Sequence, residues 1–196
     1  ASWQRQVILG SSTHPGEDEI LLQAFRELQQ RHSDVLLLLV PRHPERFEDV
    51  YRLCSDAGFA VLRRSTGEPL SPEHDVLLGD TMGELRLLSG TASVAVIGGS
   101  FIEHGGQNVL EAAAWGVPVV SGPHMFNFTE ITDLLTAAGA MRRLQAPGQL
   151  APCLVELMAD ESLRRQMGLA GAQVVAQNRG ALGLLREIIA GELSGA

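Results

Sequence analysis

The sequence predicts an α/β protein built on a parallel, doubly wound sheet. Short uninterrupted apolar runs recur, as in Val35–Val40 (VLLLLV), Val94–Ile97 (VAVI) and Val117–Val120 (VPVV). Parallel strands look like this when helices cover both of their faces. The segments between the runs carry helical periodicity, so strand and helix alternate along the chain. Glycines and polar residues gather just after the apolar runs, beyond the carboxyl ends of the strands, where open α/β sheets bind their ligands.

Each element has its own justification. Val7–Leu9 is a short strand, followed by the loop GSSTHPGEDE, in which Ser11, Ser12 and Thr13 are candidate N-caps. Glu17, Asp18 and Glu19 fall in the first turn of the next helix, where acids complement the dipole. That helix is expected to reach about His32, with Ile20, Leu21, Ala24, Phe25 and Leu28 on one face. Val35–Val40 is the second strand and delivers Pro41, Arg42 and His43; Pro44 opens a helix that Gly58 ends. Phe59–Leu62 is a third strand near an edge, and the polar stretch 63–73, broken by Gly67, Pro69 and Pro72, is an exposed loop.

Asp75–Leu78 is the fourth strand and leads into Gly79-Asp80-Thr81-Met82-Gly83-Glu84. Thr81 with Glu84 three residues later has the form of a capping box for a helix Met82–Ser89. Val94–Ile97, a glycine-rich loop, an alanine-rich helix closed by Gly116, and Val117–Val120 follow. A helix over about Thr129–Ala138, a weak strand Met141–Leu144, and a helical remainder from Pro147 complete the chain, with breaks expected near Asp160 and at 178–180. There is no internal repeat.

The 196 residues suit a single domain. The net charge of −8 argues against a nucleic-acid binder, which would show a basic face. No apolar run reaches the ~18 residues of a membrane span. Cys54 and Cys153 have no metal-ligand spacing and read as two buried thiols rather than a disulfide.

The stretch from Val94 to Gly122 carries the clearest chemistry. Gly98, Gly99, Gly105 and Gly106 let backbone approach a ligand closely. Asn108 and Glu111 stand three residues apart, on one face of the helix start, and a carboxylate there can accept both hydroxyls of a ribose. Arg42 can pair bidentately with a phosphate or be taken up by a carboxylate such as Asp80; His43 can donate to a phosphate or cap a helix. His14 and His104 are further loop candidates, while His32 and His74 read as solvated. Ser12, Arg42, His43, Asp80, Glu84, Asn108, Glu111 and His124 all fall at strand ends and define one nucleotide crevice. HGGQN is not a GxGxxG fingerprint, no Walker loop is present, and Ser100 does not sit in a GxSxG elbow.

Four segments together resemble a known family: GSSTHPGEDE, PRHPERF, GDTMGEL and GGSFIEHGGQNVLEAAAWGVPVVSGPHMFNF. They are similar, in order, to the C-terminal half of 3-deoxy-D-manno-octulosonic acid (Kdo) transferases, over about Val7 to Phe128. The resemblance implies a GT-B fold, with two Rossmann-like domains facing across a cleft, and a chain 1–196 that is the single donor-binding domain without its N-terminal acceptor domain. It implies CMP-Kdo as donor and a lipid A precursor as acceptor, in lipopolysaccharide synthesis at the cytoplasmic face of the bacterial inner membrane. Pro41 and Arg42, then Met82, Gly83 and Glu84, then Asn108, Val109, Leu110 and Glu111 match the family's CMP-binding segments, beside His43, Gly105 and Gly106 from the crevice. No metal or other cofactor is expected, and the catalytic base is expected in the missing domain, so this chain alone should bind donor without transferring sugar. A UDP-sugar-dependent GT-B donor domain and a non-catalytic nucleotide-binding module are the alternatives.

Overall fold

The computed structural model describes residues 5–194, with side chains placed over 5–178. Seven strands form one parallel sheet: β1 (Gln6–Thr13), β2 (Val35–Pro41), β3 (Val61–Arg63), β4 (Val76–Leu78), β5 (Val94–Ile97), β6 (Val119–Ser121) and β7 (Met141–Arg143), in the order β3-β4-β2-β1-β5-β6-β7. Helices α1 (Glu17–Gln29), α2 (Phe47–Asp56), α3 (Leu85–Ser89), α4 (Leu110–Ala114), α5 (Thr129–Ala137), α6 (Leu150–Ala159) and α7 (Glu161–Ser194) cover it. The α/β, doubly wound expectation is met.

The two-residue period of a strand divides the core in two. Ile8, Leu37, Leu39, Val94 and Val96 face a cluster with Phe25 and Leu28 of α1, Val50 of α2, and Leu154 and Leu157 of α6. Leu9, Leu38, Val40, Ala95 and Ile97 face the other way, against Leu88 of α3, Ala112 and Ala113 of α4, Leu135 of α5 and Val175 of α7. In register, Leu9 stands between Leu38 and Ala95, the middle of the most deeply buried part of the sheet. The edge strands β3 and β7 are three residues each and carry Arg63, Arg142 and Arg143, a short charged edge that discourages further pairing.

Chain order reverses direction between β1 and β5. From β1 the chain winds outward to β2 and β3 and fills in β4; it then crosses to the other side of β1 and builds β5, β6 and β7. The loops after β1 and β5 therefore part at the centre of the sheet, which is the switch point where doubly wound folds open a crevice.

Several boundaries differ from expectation. β1 extends to Thr13, so Ser11, Ser12 and Thr13 are strand rather than caps, and the residue before α1 is Gly16 in the left-handed region. α1 ends at Gln29 instead of about His32. The helix expected over Met82–Ser89 begins only at Leu85: the Thr81 hydroxyl donates to the Glu84 carboxylate, and neither side chain accepts a backbone N–H as the two would in a capping box. A single turn of 3₁₀ helix, Pro44–Arg46, precedes α2. The break near Asp160 is present, but α7 continues through 178–180, since a glycine in a helix costs about 1 kcal/mol and need not end it. Cys54 and Cys153 are buried free thiols, and burial pushes the Cys54 thiol up to about 12.

Candidate nucleotide-binding site

The floor of the crevice is backbone packed on backbone. Gly98 N–H donates to Ser11 O at 2.8 Å, and a Cβ on Gly98 would lie 2.1 Å from Ser12 O. The sheet can bring β1 and β5 this close at their carboxyl ends only with glycine there. Ser12 itself has φ +55, the only positive φ of a non-glycine among the described residues, and it marks a break in the β1–β2 register. Past it the chain swings His14 over the crevice, while Arg42 N–H donates to Thr13 O at 3.0 Å and ties β2's end to the same turn.

Glu17 shapes the far wall. Its carboxylate is 1% exposed and accepts four backbone N–H groups: His14 at 3.0 Å, Gly99 at 2.6 Å, and Ser100 and Phe101 at 3.0 Å each. A buried charge needs such partners to be tolerated. The carboxylate thus fixes the first turn of the glycine-rich loop from a helix more than eighty residues away in sequence. Asp18 beside it is also buried; it accepts the Thr13 hydroxyl at 2.6 Å and an ion pair from Arg46. Burial pushes its carboxyl up against the opposing pull of those two partners.

The loop then doubles back. Gly106 N–H donates to Gly99 O at 2.7 Å, with Gly99, Gly105 and Gly106 all at positive φ. A Cβ on Gly106 would meet Met125 Sδ at 2.4 Å, and one on Gly105 would meet Asn127 Nδ2 at 2.3 Å, so the segment after β6 packs against the loop. Asn108 precedes the helix instead of lying in it: its Oδ1 accepts Leu110 N–H at 3.0 Å and its Nδ2 donates to Glu111 Oε1 at 3.3 Å. The expected pair therefore exists, on the exposed lip of the loop. Val109 is fully buried and anchors it, while Leu110 stays half-exposed. α4 is five residues long, and the backbone N–H groups of Gln107 and Asn108, outside it, donate to no acceptor among the described residues.

Cations converge opposite. Arg42 is exposed and its guanidinium has no hydrogen-bond or ion-pair partner among the described residues. The anticipated competitor, Asp80, is occupied elsewhere. It accepts Arg63 Nε at 2.7 Å and the N–H and hydroxyl of Ser65 at 2.8 and 2.6 Å. Burial pushes the Asp80 carboxyl up, but the Ser65 and Arg63 bonds outweigh it and hold it below its ordinary value. His43 stands half-exposed, 4.0 Å from Glu45. His14 is buried between His43 and His104, with ring centroids 5.5 and 4.2 Å away, and Gln107 Nε2 lies 2.9 Å from its Nε2. Burial first, and then the neighbouring His104, His43, Arg46 and Arg42, push the His14 imidazole down to about 4.

The Met82–Glu84 turn follows β4 on the same edge of the sheet. Met82 is 65% exposed, Gly83 has φ +80, and Glu84 is held by Thr81 and by Arg64 at 3.1 Å. It borders α3, which packs on α4 and accepts Trp115 Nε1–H at Arg86 O, 2.7 Å. Sequence reasoning did not find the Glu17 role. Three consecutive acids looked equivalent, although at 100° per residue they span too wide an arc for all to face water. Gln107 was likewise missed, and it carries no sequence signal. Ser100 is buried, bonded to Ile97 O and Gly122 N–H, and structural.

The parallel sheet, with its switch point between β1 and β5, has the architecture of a GT-B glycosyltransferase domain, and the candidate site at that point holds a glycine-shaped loop, a carboxamide–carboxylate pair and a guanidinium without a partner among the described residues. No protein-family model matches the chain. It is 41% identical to 3-deoxy-D-manno-octulosonic acid transferase of Haemophilus influenzae over 94% of this chain and 44% of that protein. Against the same enzyme of Bordetella pertussis it is 41% identical over 90% of this chain and 42% of that protein. The crystal structure of the C-terminal CMP-Kdo binding domain of WaaA from Acinetobacter baumannii superposes with TM-score 0.82 and 33% identity, covering 87% of this chain and 89% of that one. The chain belongs to the Kdo transferase family and corresponds to its C-terminal domain. It spans less than half the length of the curated relatives it matches. No helix among the described residues is long and apolar enough to cross a membrane.

Proposed function

We propose that this chain is the donor-binding half of an enzyme that transfers Kdo from CMP-Kdo to a lipid A precursor. The observation that carries the reading is its likeness, over nearly the whole of both chains, to a domain described as binding CMP-Kdo. The geometry supports it. Arg42 is a free cation for the phosphate, Glu111, steadied by Asn108, accepts the ribose hydroxyls, and the exposed Met82–Glu84 turn borders the base. Pro41, His43, Gly105 and Gly106 complete the walls.

In the transfer, the acceptor hydroxyl oxygen bonds to the anomeric carbon as the bond from that carbon to the phosphate oxygen of CMP breaks. The hydroxyl proton passes to a carboxylate of the N-terminal half, and Arg42 with backbone N–H groups stabilises the charge growing on CMP. This route needs no metal, and CMP affinity unchanged by EDTA checks that point. The full-length protein works at the cytoplasmic face of the inner membrane, where its lipid acceptor is found.

Calorimetric titration with CMP, UDP and GDP tests the donor assignment: CMP should bind most tightly, and a preference for UDP would overturn it in favour of a UDP-sugar enzyme. The purified chain alone should transfer no Kdo to a lipid A precursor, and measurable transfer would refute the division of labour.

A further inference from the structure

Three imidazoles meet at the mouth of the crevice, from three segments of chain. His14 follows β1, His43 follows β2 and His104 lies in the glycine-rich loop after β5. Arg42 adds a guanidinium without a partner among the described residues, and Arg46 lies behind, committed to Asp18. The buried carboxylates on the neighbouring segments are already engaged, and the two others, Glu45 and Glu103, stand exposed to solvent. Glu17 is saturated by four backbone N–H groups, Asp18 holds Thr13 and Arg46, and Glu45 lies 4.0 Å from His43 on its solvent side. Gln107 Nε2 as donor to His14 Nε2 leaves the His14 proton on Nδ1 and its ring neutral.

Protonating such an arrangement is costly unless an anion visits it. Protonating any one ring places a new cation beside Arg42 and the other imidazoles, and no internal carboxylate is free to receive it. An entering oxyanion reverses that balance.

We propose that His14, His43 and His104, with Arg42, form a proton-linked oxyanion subsite, in which the imidazole cluster takes up a proton from solvent as an anionic oxygen of the ligand enters. This rests on the nucleotide-donor reading and adds to it. The anion is the donor's phosphate or the carboxylate of its sugar acid, and the chemistry is the same for both. Where the anion is the carboxylate, the cluster also tells a sugar-acid donor from a neutral-sugar nucleotide, whose charge lies on its phosphates alone.

Two probes that do not titrate near neutrality separate the sources: cytidine 5′-(methyl phosphate), with one phosphate charge, and the methyl glycoside of Kdo, with one carboxylate. Histidine Cε1–H resonances of the full 196-residue chain are titrated from pH 4 to 8 with and without each probe, and affinities are measured in parallel by calorimetry. We expect the His14 midpoint, about 4 in the free protein, to rise by about two units with at least one probe. That probe should bind about tenfold more tightly at pH 5 than at pH 7, one pKa unit being a tenfold change in affinity. His14→Gln should abolish the pH dependence. His104→Gln, on the exposed part of the loop, should weaken it and serves if the first variant does not fold. The probe that moves the midpoint identifies the anion. Binding of a probe with no imidazole shift from either overturns the subsite alone, whereas no binding of either overturns the nucleotide reading and the subsite with it.

Discussion

A carboxylate with almost no access to water, such as that of Glu17, has to find its hydrogen bonds inside the protein, and it finds four. Glu17→Ala would strand those N–H groups in a buried site, at about 1–3 kcal/mol for each one left unsatisfied. Water filling the vacated space would recover part. We expect a net loss of about 3–5 kcal/mol in urea unfolding and a CMP affinity lowered even in the folded fraction, since the loop carries Gly105 and Asn108. Arg42→Ala acts differently. The side chain is exposed and has no internal partner among the described residues. Its removal should leave stability within about 0.5 kcal/mol while weakening CMP binding by roughly 1–3 kcal/mol, the value of one charge-assisted bond. Glu111→Ala should weaken binding by a similar amount. The separation is readable by pairing unfolding with calorimetry: equal loss of stability and affinity at Arg42 would contradict its role. At this scale the sequence showed which residue types stood at the strand ends. It could not show which were spent internally. Asp80 and Glu84 read like Glu111, yet the first two are neutralised by Arg63 and Arg64 from a stretch that looked like an unattached loop.

Among the elements, the glycine-rich loop depends on chain contacts that spacing cannot reveal. Gly98 and Gly122 both face carbonyls, Ser12 O at 2.1 Å and Ser100 O at 2.3 Å from an added Cβ, and backbone atoms cannot rotate aside as a long side chain can. Gly98→Ala should therefore force the ends of β1 and β5 apart, costing over about 2 kcal/mol, in the range for overpacking a rigid site. Gly148→Ala, with nothing within 4 Å of the added methyl, is the matched control and should be near neutral. Thermal unfolding of the two variants checks the contrast, and equal midpoints would show that the strand ends give way freely. Long elements were legible because burial on both faces leaves a continuous apolar run, as in β2, where all seven residues are buried. Short ones were less so. The Thr81–Glu84 pattern matched a capping box, but a side chain already receiving Arg64 does not turn back to cap, and α3 shrinks to five residues.

For the whole molecule, strand number, strand alternation and the sheet edge where the candidate residues gather were all readable, because a parallel sheet forces its connections through helices and sends the loops after its strands to one edge. The order β3-β4-β2-β1-β5-β6-β7 was not, since nothing in one strand's residues names its neighbour. That order is what brings the loops after β1, β2 and β5 together and buries His14 beside two other imidazoles and two arginines. The consequence is a stability that depends on pH. His14 titrates near 4 in the native protein and near 6.5 when unfolded. Above pH 6.5 it is neutral in both states and contributes nothing. As pH falls from 6.5 towards 4, the unfolded chain binds a proton that the native chain refuses, so stability declines, by up to about 3 kcal/mol at one pKa unit per 1.36 kcal/mol. Asp18, whose carboxyl is raised, works in the opposite direction, because its native form binds a proton more readily than the unfolded chain does. Asp80, lowered in the native state, contributes stability above the ordinary aspartate range and loses it as the pH falls from there through its own lower native range. The His14 contribution is therefore isolated by difference. Urea unfolding of the wild type and of His14→Gln at pH 7.5, 6.5, 5.5 and 5.0 should show the wild type losing stability more steeply below pH 6.5. Parallel curves would mean that His14 takes up its proton in the native state as readily as in the unfolded one.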